Sequence, residues 1–320
     1  MRIALVHPAL AGAHGGNQTT ALRWERLLGE LGHEVVRSTA WAGEEADVLV
    51  ALHATKSASA VRAFRQRWPG RPVIVGLAGT DLYHDLPDDP AAAGAVRAAD
   101  RLVVLQPLAS ARLPPEARAK VRVIRQSAEP PEGAPAPAED RFEVALLAHL
   151  RPVKDPRTVW RAVRRLPEGS RLVVRHAGAA LDAGTAAEAA EASTDSPRYR
   201  WLGPLPPAEA ARLLASSRLV VVPSIAEGGA NVVSEAIAAG VPVLATRIAG
   251  SIGLLGEDHP GLFPVGDAGA LASLLDRAET DPAFWAELRR RTEGLRPLVD
   301  PARERDAWRD LLAELAGGQG

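Results

Sequence analysis

Cysteine is absent from this chain of 320 residues. That excludes disulfides, thiolate nucleophiles and cysteine-ligated metals, and it fits a reducing, cytoplasmic setting. Neither sign of charge is in excess: 38 Lys and Arg stand against 39 Asp and Glu, for a formal net charge of −1. The chain therefore lacks the basic field that draws in nucleic acid or an anionic membrane. Aromatic residues make up 4% and methionine a single position. No apolar run approaches the eighteen or so residues of a membrane span. Lysine occurs only at Lys56, Lys120 and Lys154, whereas Arg, Ala and Pro are abundant, which suggests a GC-rich genome. What remains is 47% hydrophobic and 24% charged, ordinary for a soluble globular protein. The length allows two domains with separate cores. Arg2-Ile3-Ala4-Leu5-Val6 reads as a first strand rather than a secretory leader.

Short apolar β runs alternate with helical patterns. In the first half the expected strands are Arg2–Val6, Val48–Leu52, Pro72–Gly76, Leu102–Leu105 and Val121–Ile124, with helices over Asn17–Leu31 and Ser57–Arg67. Residues 131–140 are Pro-rich and too polar to pack, and read as a linker. The alternation then restarts, with strands at Phe142–Leu147, Leu172–Val174, Tyr199–Leu202, Leu219–Val222, Val243–Ala245 and Leu262–Pro264. Helices are expected over Pro156–Arg165, Ala186–Ala192, Pro207–Ala215, Asn231–Ala239, Pro282–Thr292 and Pro301–Leu315. The pattern predicts an α/β protein of two doubly wound domains, residues 1–130 and 141–298, followed by a final helix in 299–320. Ligands of such sheets sit at the carboxyl ends of strands, so the site is expected in the cleft between two facing domains.

The most informative stretch is Pro223-Ser-Ile-Ala-Glu-Gly-Gly-Ala-Asn231, between a buried strand and a helix that Gly240 ends. A glycine loop at a helix start leaves free backbone N–H groups with the positive end of the helix dipole behind them, a ready site for a phosphate or diphosphate. Glu227 and Glu235 flank it with seven residues between. Carboxylates beside an anion make sense as acceptors for sugar hydroxyls, which suits a nucleotide sugar. An ordinary Gly-Gly turn is the plain alternative. After the first strand of the second half comes Ala148-His149-Leu150-Arg151-Pro152-Val153-Lys154-Asp155. Three basic side chains at a strand end can neutralise a leaving diphosphate; a solvated turn capped by Asp155 is the alternative.

The Glu227-to-Glu235 segment resembles the Glu-x7-Glu segment of family-4 retaining glycosyltransferases of the GT-B fold. The resemblance implies that Glu227 contacts the donor sugar, that the amides of Gly228, Gly229, Ala230, Asn231 and Val232 contact the diphosphate, and that Glu235 holds the ribose. It also implies that Lys154 matches the family lysine, with His149 where the family has arginine and Arg151 available to replace that cation. Gly16-Asn17 resembles the family's first glycine loop. His53 stands at a strand end where the family often has histidine on the acceptor side, with Lys56 beyond it. Thr80 and Asp81 follow Ala78, which occupies a position that is histidine in many relatives. The final helix is expected to cross back to the first domain. No metal-ligand spacing and no Asp-x-Asp is present, so neither a catalytic metal nor another cofactor is expected.

Further segments, among them Pro8–Gly12, Gly16–Thr19, Leu77–Tyr83, Leu102–Pro107, Lys154–Thr158 and Glu227–Val233, look like the short bacterial subgroup that includes selenosugar synthases. That likeness implies transfer from UDP-N-acetylglucosamine to selenophosphate, with His14, Arg23, His53 and Lys56 as a cationic acceptor pocket. A nucleophile that arrives charged needs no general base. The alternatives are a lipid, polysaccharide or other small-molecule acceptor, a UDP-sugar epimerase, and a non-catalytic sugar-nucleotide sensor. Oligomeric state, base identity and stereochemical outcome are not legible.

Overall fold

The computed structural model describes residues 1–8, 15–86 and 88–317. The chain divides into two compact units. Unit 1 comprises Met1–Ser127, Glu227–Asn231 and the chain from Asp300; unit 2 comprises Ala128–Ala226 and Val232–Val299. The division falls before the Pro-rich segment, which groups with unit 2, rather than on either side of it. A five-residue loop from the middle of the second half belongs by its contacts to unit 1, which sequence pattern did not indicate.

Unit 1 holds a parallel six-stranded sheet of β1 (Arg2–Val6), β2 (Glu34–Ser38), β3 (Val48–Leu52), β4 (Val73–Leu77), β5 (Arg101–Val104) and β6 (Val121–Val123), in the order β2-β1-β3-β4-β5-β6. β3 and β4 are buried at every position, as expected of central strands covered on both faces. The helices are α1 (Gly16–Glu30), α2 (Ala58–Arg67), α3 (Pro90–Ala98) and the single turn α4 (Pro115–Arg118). Asp89 starts α3 by accepting the N–H groups of Ala91 and Ala92, with Pro90 at the first helical position.

Unit 2 holds a second parallel sheet of β7 (Phe142–Leu147), β8 (Leu172–Ala177), β9 (Tyr199–Trp201), β10 (Leu219–Val222), β11 (Val243–Thr246) and β12 (Leu262–Phe263), in the order β12-β11-β10-β7-β8-β9. Its helices are α5 (Pro156–Val163), α6 (Ala183–Asp195), α7 (Pro207–Ala215), α8 (Asn231–Ala239), α9 (Ala249–Leu255), α10 (Ala268–Thr280) and α11 (Pro282–Gly294); α8 begins on the unit 1 loop. The last helix, α12 (Pro301–Gly317), packs on α1 within unit 1. Trp308 of α12 meets Trp24 of α1 edge-on at 4.8 Å, both fully buried.

Counted within each unit, the strand orders are 2-1-3-4-5-6 and 3-2-1-4-5-6, the two common orders of doubly wound nucleotide-binding sheets. Each order reverses at one point: between β1 and β3 in unit 1, and between β7 and β10 in unit 2. The loops leaving those four strands mark the crevices where such sheets bind ligands.

Candidate functional site

In unit 2 the loops after β7 and β10 lie side by side, joined by the Ile225 N–H donating to the Val153 carbonyl at 2.8 Å. The β7 loop is braced from below. His176 is fully buried; its Nε2 donates to the Ala148 carbonyl at 2.7 Å and its Nδ1 accepts from the Tyr199 hydroxyl at 2.5 Å. Gly178 is forced by close approach, since a Cβ there would lie 1.8 Å from the Ala148 oxygen. His149 accepts the Ala179 N–H on Nδ1 at 3.1 Å, which leaves Nε2 as its donor. Pro152–Lys154 forms one 3-10 turn. Asp155 follows with φ 42° and caps α5, its carboxylate receiving the Thr158 N–H and, at 2.6 Å, the Thr158 hydroxyl. The turn presents Arg151 and Lys154, both half-buried. The Arg151 guanidinium has no partner among the described residues.

The loop Glu227–Asn231 is fixed through its glycines. A Cβ on Gly228 would meet the Ala78 carbonyl at 2.7 Å, and one on Gly229 would meet Leu105 Cβ at 2.7 Å. Gly79, at φ 135°, meets Gly228 from its own side, so neither tolerates a side chain. Asn231 anchors the end: its Oδ1 accepts from Arg23 at 3.0 Å and its Nδ2 donates to the Gly16 carbonyl at 3.3 Å. These contacts are internal to unit 1. Glu235 lies one helical turn beyond Asn231, on the same side of α8.

Also in unit 1, His53 ends β3 with φ 76°, a left-handed conformation that costs on the order of 1–3 kcal/mol in a non-glycine residue. His53 and Asp155 are the two non-glycine residues of that kind among the described residues. The His53 Nδ1 accepts the Lys56 N–H at 3.4 Å, and Nε2 donates to the Thr80 hydroxyl at 3.1 Å. Asp81 is fully buried, and its two oxygens take the N–H groups of Ala54, Ala78, Gly79 and Leu82. It thereby clamps the ends of β3 and β4 together.

A model of the family Glycosyl transferases group 1 matches residues 132–293, just over half of the chain. The chain belongs to the group 1 glycosyl transferases. The D-inositol 3-phosphate glycosyltransferase of Corynebacterium glutamicum (strain R) is 32% identical over 214 residues, covering 62% of this chain and 47% of that protein. The match thus spans about half the length of that curated relative. Anabaena HepE, solved with UDP and glucose, superposes with a TM-score of 0.78 at 16% identity, covering 98% of this chain and all of the other. Sucrose-phosphate synthase from Thermosynechococcus elongatus gives 0.77 at 17% identity, covering 99% of each chain. These likenesses establish the GT-B fold.

For a group 1 glycosyl transferase, the candidate donor residues gather as two sets. Arg151, Lys154 and His149 share the β7 loop, and Gly228, Gly229, Ala230, Asn231 and Val232 run from the β10 loop into α8. Gly16 is exposed at the start of α1, with Asn17 beside it. The acceptor-side residues are corrected in three respects. Arg23 is not a spare cation: besides Asn231 it holds Glu304, Nε to Oε2 at 3.1 Å. His53 is not one either, because burial lowers its pKa against the opposing pull of Asp81. Asp81 is a clamp whose oxygens are taken by backbone, not a group that reaches a substrate. Lys56 is exposed, its ammonium unpaired among the described residues, and Thr80 is half-buried. His14 and part of the Pro8–Gly12 segment lie outside the described residues.

Glu304 is the residue that sequence reasoning missed. Only 3% exposed, it accepts from Arg23, from Trp24 Nε1 at 3.0 Å, and from the Ser127 N–H and hydroxyl at 2.6 and 2.5 Å. The signal was present: Glu304 shares its helical face with Trp308, Leu311, Leu312 and Leu315, and an acid on an apolar stripe needs a partner.

The brace under β7 makes unit 2 sensitive to acid. Burial holds the His176 pKa down to about 4, from 6.5 in an unfolded chain. Between those values the unfolded state carries a proton that the folded state lacks, so stability falls as pH drops through the window, by about 1.4 kcal/mol per pH unit. His259 behaves alike, also lowered to about 4 by burial. Thermal melts of His176→Gln between pH 6.5 and 4.5 should show a shallower loss than the parent; parallel curves would exclude the brace as its source.

Proposed function

We propose that this chain is a metal-independent glycosyltransferase that takes the sugar from a UDP-sugar, N-acetylglucosamine in first place. The acceptor is selenophosphate. Its selenium bonds to the anomeric carbon as the carbon–oxygen bond to the diphosphate breaks, releasing UDP. The observation that carries this reading is the glycine loop Gly228–Asn231 of unit 1, whose amides open α8. In unit 2, Arg151 and Lys154 stand on the loop after β7, at the strand-order reversal of its sheet. In a diphosphate complex those amides and the positive end of α8 meet the anion. Arg151 and Lys154 stabilise the charge that develops on the leaving group. Glu227 positions the sugar and Glu235 the ribose. A charged nucleophile removes the need for a base, in keeping with a His53 whose Nδ1 is taken by the Lys56 N–H and whose Nε2 meets the Thr80 hydroxyl.

A second reading keeps the donor and changes the acceptor to a lipid, a polysaccharide or another small molecule. It is favoured by the pairing of Arg23 with Glu304, which leaves Lys56 as the exposed cation among Arg23, His53 and Lys56, the described residues of the expected acceptor pocket. An epimerase or a silent sensor is a reading of another class. Mass spectrometry of products from UDP-N-acetylglucosamine, with and without selenophosphate, separates them. A selenium-bearing sugar together with UDP is expected only when both substrates are present. UDP release with other acceptors and none with selenophosphate would select the second reading. An isomerised UDP-sugar, or binding without turnover, would remove the transferase.

A further inference from the structure

The geometry points to a second binding site, contained within unit 2 and separate from the loops after β7 and β10. On β8 the core-facing residues Leu172, Val174 and His176 alternate with half-exposed Val173 and Arg175. The strand register places Arg175 directly opposite Arg200 of the edge strand β9. Like charges opposite one another on neighbouring strands are unfavourable, and one shared carboxylate is set against them. The nearest carboxylate, Glu143 Oε2, is 3.7 Å from Arg175, and Glu143 already receives Arg141 Nε at 2.7 Å. Arg200 is exposed and has no partner among the described residues. A third guanidinium, Arg212 of α7, is likewise exposed and unpartnered among them.

Beside Arg175 and Arg212 lies an open cavity of 550 Å³, with Arg200 next to Arg175 across the strand pair. Arg175 and Arg212 line it together with Leu202, Leu205 and Leu213, and the Pro-rich segment adds Gly133 and Pro135. Glu209, the one carboxylate of the lining, makes no ion pair with Arg212. Two arginines without a carboxylate partner among the described residues and a third that shares one, set against a leucine surface, match a molecule that is charged at one end and apolar at the other. We infer that this cavity binds a small organic anion: a carboxylate or phosphate monoester held by Arg175, Arg200 and Arg212, with its apolar body on the three leucines. Guanidinium groups suit both oxyanions because their planar donors bind two oxygens at once.

Titration calorimetry of the whole chain tests this, with UDP present in excess so that the donor loops are blocked. Phenyl phosphate is the probe, inorganic phosphate the polar control and benzyl alcohol the uncharged control. Phenyl phosphate should bind saturably at one site, inorganic phosphate at least tenfold more weakly, and benzyl alcohol without saturation. The double variant Arg200→Glu, Arg212→Glu should lose at least tenfold in phenyl phosphate affinity with an unchanged melting temperature, since both side chains are exposed. Leu205→Asn should weaken phenyl phosphate and leave inorganic phosphate as it was. Absence of saturable binding, undiminished binding by the double variant, or equal affinity for inorganic phosphate would each overturn the assignment. Because the readout is the arginine variants, the result stands apart from the transferase reading.

Discussion

Lys154→Ala is expected to lower the turnover of the UDP-sugar about 10²–10³-fold, the range seen when one donor to developing charge is removed. The melting temperature should fall by only a few degrees, the shift that a loss of about 1 kcal/mol brings. The expectation follows from where the lysine sits. Its turn is held by neighbours that the substitution leaves alone: Asp155 caps α5 through Thr158, and the Val153 carbonyl receives Ile225. On the proposed reading, this half-buried side chain contributes modestly to folding and much to a charge that develops beside it in the transition state. Measuring kcat by UDP release alongside a thermal melt decides the matter. Unchanged turnover, or a loss of stability in step with the loss of activity, would remove Lys154 from the chemistry.

Glu304→Ala is expected to destabilise unit 1 by about 3–5 kcal/mol, the cost typical of breaking a buried ion pair by deleting one partner. The deletion strands Arg23, whose side chain is 11% exposed, and leaves Trp24 Nε1 and both Ser127 donors without an acceptor. Glu304→Gln, which keeps an acceptor oxygen, should lose less. Denaturant unfolding followed by tryptophan fluorescence reads the difference, because Trp24 and Trp308 lie in this region. A loss under about 1 kcal/mol, below the usual cost of orphaned buried donors, would mean that the pair adds nothing beyond packing. Activity should also fall, since Arg23 would lose the carboxylate that aims it at Asn231.

Much of the fold was legible because buried parallel strands carry continuous apolar runs. Arg2–Val6, Val48–Leu52, Phe142–Leu147 and Leu219–Val222 coincide with β1, β3, β7 and β10 to the residue. Pro207–Ala215 and Asn231–Ala239 likewise coincide with α7 and α8. The elements not foreseen are those with mixed signals. β2 reads Glu-Val-Val-Arg-Ser and is an edge strand with no fully buried residue. α9 contains two glycines, which ordinarily weaken a helix by about 1 kcal/mol each. α3 has five alanines and a glycine among its nine residues, which blurs its apolar stripe despite its Asp89-Pro90 start. α10 is the exception: its apolar pattern is plain, yet it is not among the expected helices.

At the site, motif spacing found the loops but not the state of the side chains within them. Whether Arg23 is available depends on Glu304, 281 positions away. Whether His53 carries charge depends on burial, and the role of Asp81 depends on which amides its oxygens reach. Those are tertiary facts that no local pattern encodes. The Ala78 position gave a partial warning, since its departure from many relatives implied that the acceptor side would be arranged differently.

The division of the chain has a consequence for biogenesis. On the ribosome, α1 and the first sheet emerge long before α12, with the whole of unit 2 translated in between. Until Glu304 and Trp308 are made, the indole face of Trp24 and the guanidinium of Arg23 have neither their lid nor their counter-ion. The half that is synthesised first is therefore completed after its neighbour, and a nascent chain stalled before residue 300 would present an open apolar flank to chaperones and proteases.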